Sequence, residues 1–412
     1  MLNRFSWLMA SVFSFECYFV AYLYAGRFKG DERLSWLPVD LTAAFFLLSI
    51  LAACWVLLKS RPLSKDILLP LALVLLFFVY VGVSIGWSPG HSYSVSKTSY
   101  LLTLTAWCVL APLIVVSSDM HRLKRLLAYL LLFSIVSSIE AVIVYLKGVV
   151  GFLTIFGSNY LALGRTLGVG MAIAIALGYR YFCRKDFNSF SLWMGVAGVF
   201  VLLMLLSGGR GPTLSALISL VVFFAIILFS KRGFLVRNRW KSFYMAFSVL
   251  FVVGLIGILV VFSEEMFQTV FRIGVIFTQD DMGSSVAARV EHFGQALVRF
   301  SESPIWGKGI GGYAAANEGR AYPHNIILEL LVETGLLGCV LFLVVLAVAL
   351  RCILIEAVLR ADWYVWAVLM ILVQGIFNSM FSGDFNDNRM LFMPMSLCFV
   401  VYMIHKKIRI SN

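Results

Sequence analysis

The chain has 412 residues, 61% of them hydrophobic and only 13% charged, with a mean hydropathy of +0.94. A water-soluble fold carries roughly a quarter charged residues, so this composition excludes a soluble globular protein and makes lipid the solvent of most of the surface. The net charge of +12 does not point to nucleic acid, because Lys and Arg cluster between apolar runs without interleaved aromatics, as the orientation of membrane spans by loop charge requires.

A span needs about 20 mostly apolar residues to cross the hydrocarbon. On that template the chain predicts spans near 6–25, 38–58, 67–87, 99–118, 126–146, 160–179, 190–206, 212–230, 242–262, 325–350, 363–381 and 391–405. The first run, Phe5 to Ala25, is too long for a signal-peptide core and lacks a clear cleavage site, so it is expected to stay as a span. The fold class is an all-α polytopic membrane protein of about twelve transmembrane helices. Residues 1–262 hold spans one to nine, 263–324 form one large hydrophilic loop with short helices, and 325–412 hold the last three spans. Seven cysteines lie in or beside spans with no CxxC pair or Cys/His cluster, so neither a disulfide framework nor a zinc site is expected.

Loop charge sets the orientation. With the N-terminus inside, the short inside segments hold twenty Lys and Arg, and the short outside loops hold seven, Arg27, Arg33, Lys97, Arg210 and Arg389 among them. That predicts both termini in the cytoplasm and the 263–324 loop outside. The basic 231–241 loop is expected to be solvated or to touch anionic lipid heads. No inverted repeat of short, Gly/Pro-interrupted helices marks a secondary transporter.

Residues able to carry chemistry then fall at one face of the membrane. Arg165 lies about a turn and a half into the sixth span, where a charge faces the bundle interior or a wet cavity, or else snorkels to the interface. Glu16 and Glu140, in other spans, are its possible partners. Ser207-Gly208-Gly209-Arg210-Gly211-Pro212 makes a tight turn that either aims a guanidinium at an anion or leaves it solvated. Arg289 opens an amphipathic helical pattern with Phe293, Ala296, Leu297 and Phe300. His324 directly precedes a clean span onset, where it is either a capping residue or a base near pKa 6.5. Asn325 is placed to cap the helix that follows, and Glu329 or Glu333 to orient the ring. Asp384 and Arg389 lie in the last outside loop.

The run Pro323-His324-Asn325-Ile326-Ile327-Leu328-Glu329 through Glu333-Thr334-Gly335 to Gly338 resembles the signature of the O-antigen ligase/polymerase superfamily. The Ser207–Gly211 turn, Arg289 followed by Pro304-x-x-Gly307-x-Gly309, and Ser382-Gly383-Asp384 continuing to Asn388-Arg389 resemble its other motifs, in the same order. The resemblance covers the second half of the chain. It implies a GT-C-type inner-membrane glycosyltransferase of lipopolysaccharide biosynthesis, using an undecaprenyl-diphosphate-linked glycan as donor at the periplasmic face. Members ligate O-antigen to lipid A–core or polymerise lipid-linked repeat units, and the sequence leans to the ligase type. By this likeness His324 is the catalytic residue, taking the proton from the acceptor sugar hydroxyl or orienting it, and Arg210 and Arg289 bind the donor diphosphate. Arg165 and Arg389 are added to the arginines by position, with Asn325, Glu329 and Asp384 in support. No D-x-D motif is present, so no metal and no cofactor is expected. A flippase for the same lipid-linked substrates is the competing class, since it too would need arginines for the diphosphate.

Overall fold

The computed structural model describes residues 13–59, 64–90, 92–148, 152–229, 284–316, 322–359 and 362–411. Among the described residues there is no strand, and ten helices are long and apolar enough to cross a membrane. Of the other two expected spans, the first is described in part, as α1 (Phe15–Ala25), and 242–262 lies outside the described residues together with the 231–241 loop. In chain order α1 is followed by α2 (Leu41–Lys59), α3 (Leu68–Val83), α4 (Ser92–Tyr100), α5 (Ala106–Val115), α6 (Met120–Leu146), α7 (Tyr160–Cys183), α8 (Phe187–Leu206) and α9 (Arg210–Phe229). Next come α10 (Ser284–Glu302), α11 (Gly312–Ala316), α12 (Ile326–Leu359), α13 (Trp363–Phe381) and α14 (Arg389–Ser411). On α2, Leu47, Leu51, Trp55 and Leu58 form one exposed stripe at helical spacing, the outward apolar face that lipid rather than water tolerates.

The helices form two units, each drawn from three stretches of chain. The first comprises Met1–Trp55, His121–Gln279 and Ile355–Gln374. Its centre is α7, buried almost all round, where Gly164, Gly168, Gly170, Ala172, Ala174 and Ala176 let neighbours approach closely. Ser134 Oγ on α6 donates to the Thr166 carbonyl at 2.9 Å, and Gln374 Nε2 on α13 donates to the Gly168 carbonyl at 3.1 Å. Polar side chains inside an apolar bundle thus find backbone acceptors.

The second unit comprises Val56–Met120, Asp280–Leu354 and Gly375–Asn412. Phe77, Phe342, Phe385 and Phe392 stack into its core with ring centroids 5.7–6.5 Å apart, and Ser396 Oγ of α14 donates to the Val109 carbonyl at 2.7 Å. The fourth expected span, 99–118, begins earlier than its apolar run. Helix begins at Ser92 and continues through a π turn, Leu101–Thr105, into α5. Lys97, expected in an outside loop, is therefore a helix residue, and it is buried.

α12 is broken at Gly335, whose φ of 65° and ψ of −167° lie in a region open essentially to glycine alone. The break removes one helical bond, leaving the Val332 carbonyl and the Leu336 N–H without their usual mutual partner. The turn after α10 takes both. Lys308 N–H donates to the Val332 carbonyl at 2.7 Å, and Leu336 N–H donates to the Pro304 carbonyl at 2.8 Å. Backbone polar groups removed from water need such partners. The contact is so close that a Cβ on Gly307 would lie 2.5 Å from the Glu333 carbonyl carbon. The Pro304-x-x-Gly307 run and the Glu333-Thr334-Gly335 run are two halves of one joint.

Candidate functional site

The first unit holds two of the expected arginines. Arg165 is half-buried on the second turn of α7, and Arg210 is half-buried at the start of α9. The turn before Arg210 reverses at Gly208, with φ 75°, and Pro212 packs on Gly164, the residue before Arg165. Glu16 and Glu140, possible partners for Arg165, pair with other arginines. Glu16 pairs with Arg122 at 3.0 Å and Arg125 at 3.4 Å, and Glu140 with Arg33 at 2.9 Å. α6 begins at Met120, well before the expected 126, which brings Arg122 and Arg125 out of the loop and onto the helix face that meets Glu16. A third arginine that the sequence left in a loop joins the start of α7. Arg27 donates to the Ala162 carbonyl at 2.6 Å and lies 4.6 Å from the centre of the Tyr24 ring. Burial pushes its pKa down to about 10, Tyr24 opposing and nearby Arg165 adding to the shift.

The second unit holds the rest. α10 presents Arg289, His292 and Ala296 at helical spacing. Ala296 packs with Tyr313 of α11 and Val332 of α12, against Phe300 and Leu328. Leu297, expected on the same apolar face as Phe293, Ala296 and Phe300, points the other way. It is 54% exposed and shares the opposite side with Val290 and Val298. The buried face is set by Tyr313 and Val332, which leaves a second apolar stripe outward, as suits a helix lying at a lipid boundary.

His324 sits where α10 and α12 meet. Its backbone is left-handed, φ 58°, a conformation few non-glycine residues adopt and in which His is enriched. The ring meets Tyr322 at 4.6 Å and His292 at 5.8 Å, both nearly edge-on, and His292 Nδ1 is 2.8 Å from the Tyr313 hydroxyl. His324 Nδ1 is buried and makes no hydrogen bond among the described residues. Burial first, then the charges of Arg289 and His292, hold its pKa below the usual 6.5, so the ring is neutral near pH 7. Arg289 has no carboxylate partner among the described residues. An imidazole kept neutral beside a guanidinium suits proton acceptance next to an anion. Asn325 caps α12, its Oδ1 accepting from Ile327 N at 3.0 Å and Leu328 N at 3.2 Å.

Glu329 and Glu333, expected to orient the imidazole, turn to another group. Lys97 of α4 pairs with Glu329, with Glu333 at 2.9 Å and with Asp384 at 3.2 Å, and all four side chains are buried. Tyr93 donates its hydroxyl to Asp384 at 2.6 Å, and Phe385 N–H donates to the other Glu329 oxygen at 2.9 Å. Burial would raise the Asp384 carboxyl, but Lys97, a hydrogen bond with Glu329 and the Tyr93 hydroxyl hold it below the ordinary carboxylate range. Asn388 Nδ2 donates to the Asp384 carbonyl at 2.8 Å and its own carbonyl accepts from Leu391 N–H. Arg389, half-buried, is therefore the first residue of α14 directly after an anchored loop. The sequence signal for this cluster was present but unread: two carboxylates four apart on an apolar helix need a cation, and Lys97 borders an apolar run. Among the described residues no group of His, Cys, Asp and Glu is placed to hold a metal ion.

Residues 195–343 match the model of the O-antigen ligase family, a stretch that includes Arg210, Arg289, His324 and the joint at Gly335. No curated protein matches the chain.

Proposed function

From the match of residues 195–343 to the O-antigen ligase family, which supports a place in the O-antigen ligase/polymerase superfamily, we propose that the chain transfers a glycan from an undecaprenyl diphosphate to a sugar hydroxyl at the periplasmic face of a bacterial inner membrane. In this reading both termini are cytoplasmic and 263–324 is periplasmic. The observation that carries it is His324, held in a left-handed backbone with a buried Nδ1 that makes no hydrogen bond among the described residues, beside the positive charge of Arg289.

The acceptor hydroxyl attacks the anomeric carbon while His324 takes its proton. The bond from sugar to diphosphate breaks, and the electron pair leaves with the diphosphate. Arg289 stabilises charge developing beside His324. Arg165 and Arg210 are assigned to the donor's phosphates, for which a guanidinium offers paired N–H donors, and Arg389 is a further candidate. The energy is stored in the lipid-linked diphosphate, so neither nucleotide nor metal is called for.

With lipid A–core as acceptor this is ligation, the form we favour. With a second lipid-linked repeat it is polymerisation. Incubating purified protein with labelled lipid-linked glycan, with and without lipid A–core, separates the readings: a capped lipid A–core supports ligase, longer lipid-linked chains support polymerase, and passage across sealed vesicles with the glycan still on its lipid supports a flippase.

A pH profile gives an independent check. The acid limb of kcat/KM reports the free-enzyme base and is expected below 6.5, because His324 is depressed by burial and by Arg289 and His292. Arg289→Gln removes one depressing charge, so the limb is expected to move to higher pH while kcat falls about 10²–10³-fold. A limb that stays put after Arg289→Gln would contradict the pairing.

A further inference from the structure

The geometry points to Lys97 as a positioning residue of the transfer site, one ammonium that joins the start of α12, the 307–311 turn and the 384–388 loop and so fixes His324 relative to Arg289. The inference rests on the transferase reading for its kinetic arm, but on geometry alone for its structural one. Lys97 reaches Glu329 and Glu333, one turn apart on α12, and Asp384 in the loop before α14. Each carboxylate hands the connection on. Glu333 accepts from the Gly311 N–H, which ties in the turn that follows α10. Glu329 accepts from the Phe385 N–H, and the Glu329 N–H itself donates to the Asn325 carbonyl at 3.0 Å, one residue after His324. Asp384 accepts from the Tyr93 hydroxyl on Lys97's own helix.

The 307–311 turn has little slack of its own. A Cβ on Gly311 would lie 2.3 Å from Ser94 Oγ, and one on Gly309 would lie 2.5 Å from the Ser88 backbone. The Ser88 hydroxyl also donates to the Ile310 carbonyl at 2.7 Å. The turn is pressed onto α4 and the chain before it, with Lys97 beneath. The same turn is linked to α10 through Ser303, whose carbonyl accepts from Gly307 N–H at 2.9 Å, and α10 carries Arg289 and His292. Three acids around one base have no use as a plain core, where apolar side chains would pack without desolvating charge. Their partners lie on α12 just after His324, in the loop that leads to Arg389, and in the turn that follows α10.

The test uses full-length protein in lipid nanodiscs, comparing wild type with Lys97→Met and Lys97→Arg. Two quantities are read: the titration of the His324 ring by NMR of labelled histidine, and glycan-transfer kinetics. Loosening the joint exposes the ring, so in Lys97→Met its pKa is expected to rise toward the ordinary value. A displacement of about 1 Å suffices for a 10²-fold loss of kcat, with donor KM little changed, and Lys97→Arg is expected to restore part of both. A monodisperse Lys97→Met protein whose His324 titration and kcat match wild type overturns the inference. So does a loss of kcat that tracks only the amount of folded protein, with the titration unmoved. Should Lys97→Met not yield monodisperse protein, Glu333→Gln decides, since it keeps the ammonium but weakens the hold on the turn; unchanged titration and kcat there overturn the inference. A wild type that transfers nothing counts against the transferase reading, and the His324 titration still decides the role of Lys97.

Discussion

Replacing His324 with alanine is expected to lower kcat for glycan transfer by about 10²–10⁴-fold, the usual worth of a positioned general base. Donor KM should stay within about threefold, since the substitution removes an interaction made in the transition state rather than in binding. The expectation follows from three features that coincide at one residue. The ring carries a buried nitrogen with no hydrogen bond among the described residues, and burial and Arg289 keep it neutral. Its backbone occupies a region that costs about 1–3 kcal/mol to populate, strain that a simple cap would not need because Asn325 already does the capping. His324→Asn is the informative companion, because Asn also tolerates the left-handed backbone. Folding should be kept and activity still lost. Near-normal turnover by a well-folded His324→Asn protein would remove His324 from the chemistry.

The second large effect is structural. Gly335→Ala is expected to abolish stable folding of the second unit, read as loss of monodisperse protein or a collapse of its thermal transition. Alanine at φ 65° and ψ −167° costs about 1–3 kcal/mol in backbone strain. Its Cβ would lie 2.2 Å from the Ile305 carbonyl oxygen, which is backbone and cannot swing aside. Backing the turn away breaks the Lys308–Val332 and Leu336–Pro304 bonds, each worth about 1 kcal/mol and more when left unsatisfied in a buried site. Gly294→Ala is the control. It lies within α10 with open space at its Cβ position, so it should be neutral or stabilise by up to about 1 kcal/mol. A Gly335→Ala protein as stable as the Gly294→Ala control would mean the joint does not hold the unit together.

The spans were readable because a membrane imposes one requirement that composition answers directly, a run of about 20 apolar residues. α13 occupies Trp363–Phe381, as that count gives. His324 was readable because it borders such a run. Lys97 was not, since the same count treats a lysine beside a span as a loop charge, and its partners lie 232, 236 and 287 residues away. A buried charge is recognised by what neutralises it, and pairing across that distance is a property of the folded chain. Gly335 was hidden for a different reason. One glycine in an apolar helix reads as a tolerated weak point, and only the inserted 304–308 turn shows that the helix stops there. The cations that Glu16 and Glu140 meet were not readable, because a carboxylate within a span names its need for a cation but not which one. α6 begins early enough to bring Arg122 and Arg125 to Glu16.

Glycan transfer breaks a sugar–diphosphate bond, and the most direct test follows both fragments. Purified protein in lipid vesicles, supplied with lipid-linked glycan and acceptor and without nucleotide, should release one free polyprenyl diphosphate for each glycan that reaches the acceptor. The His324→Ala protein should release almost none. If glycan crosses the bilayer while still attached to its lipid, and no free polyprenyl diphosphate accumulates, the chain moves its substrate without cutting it and the account is wrong.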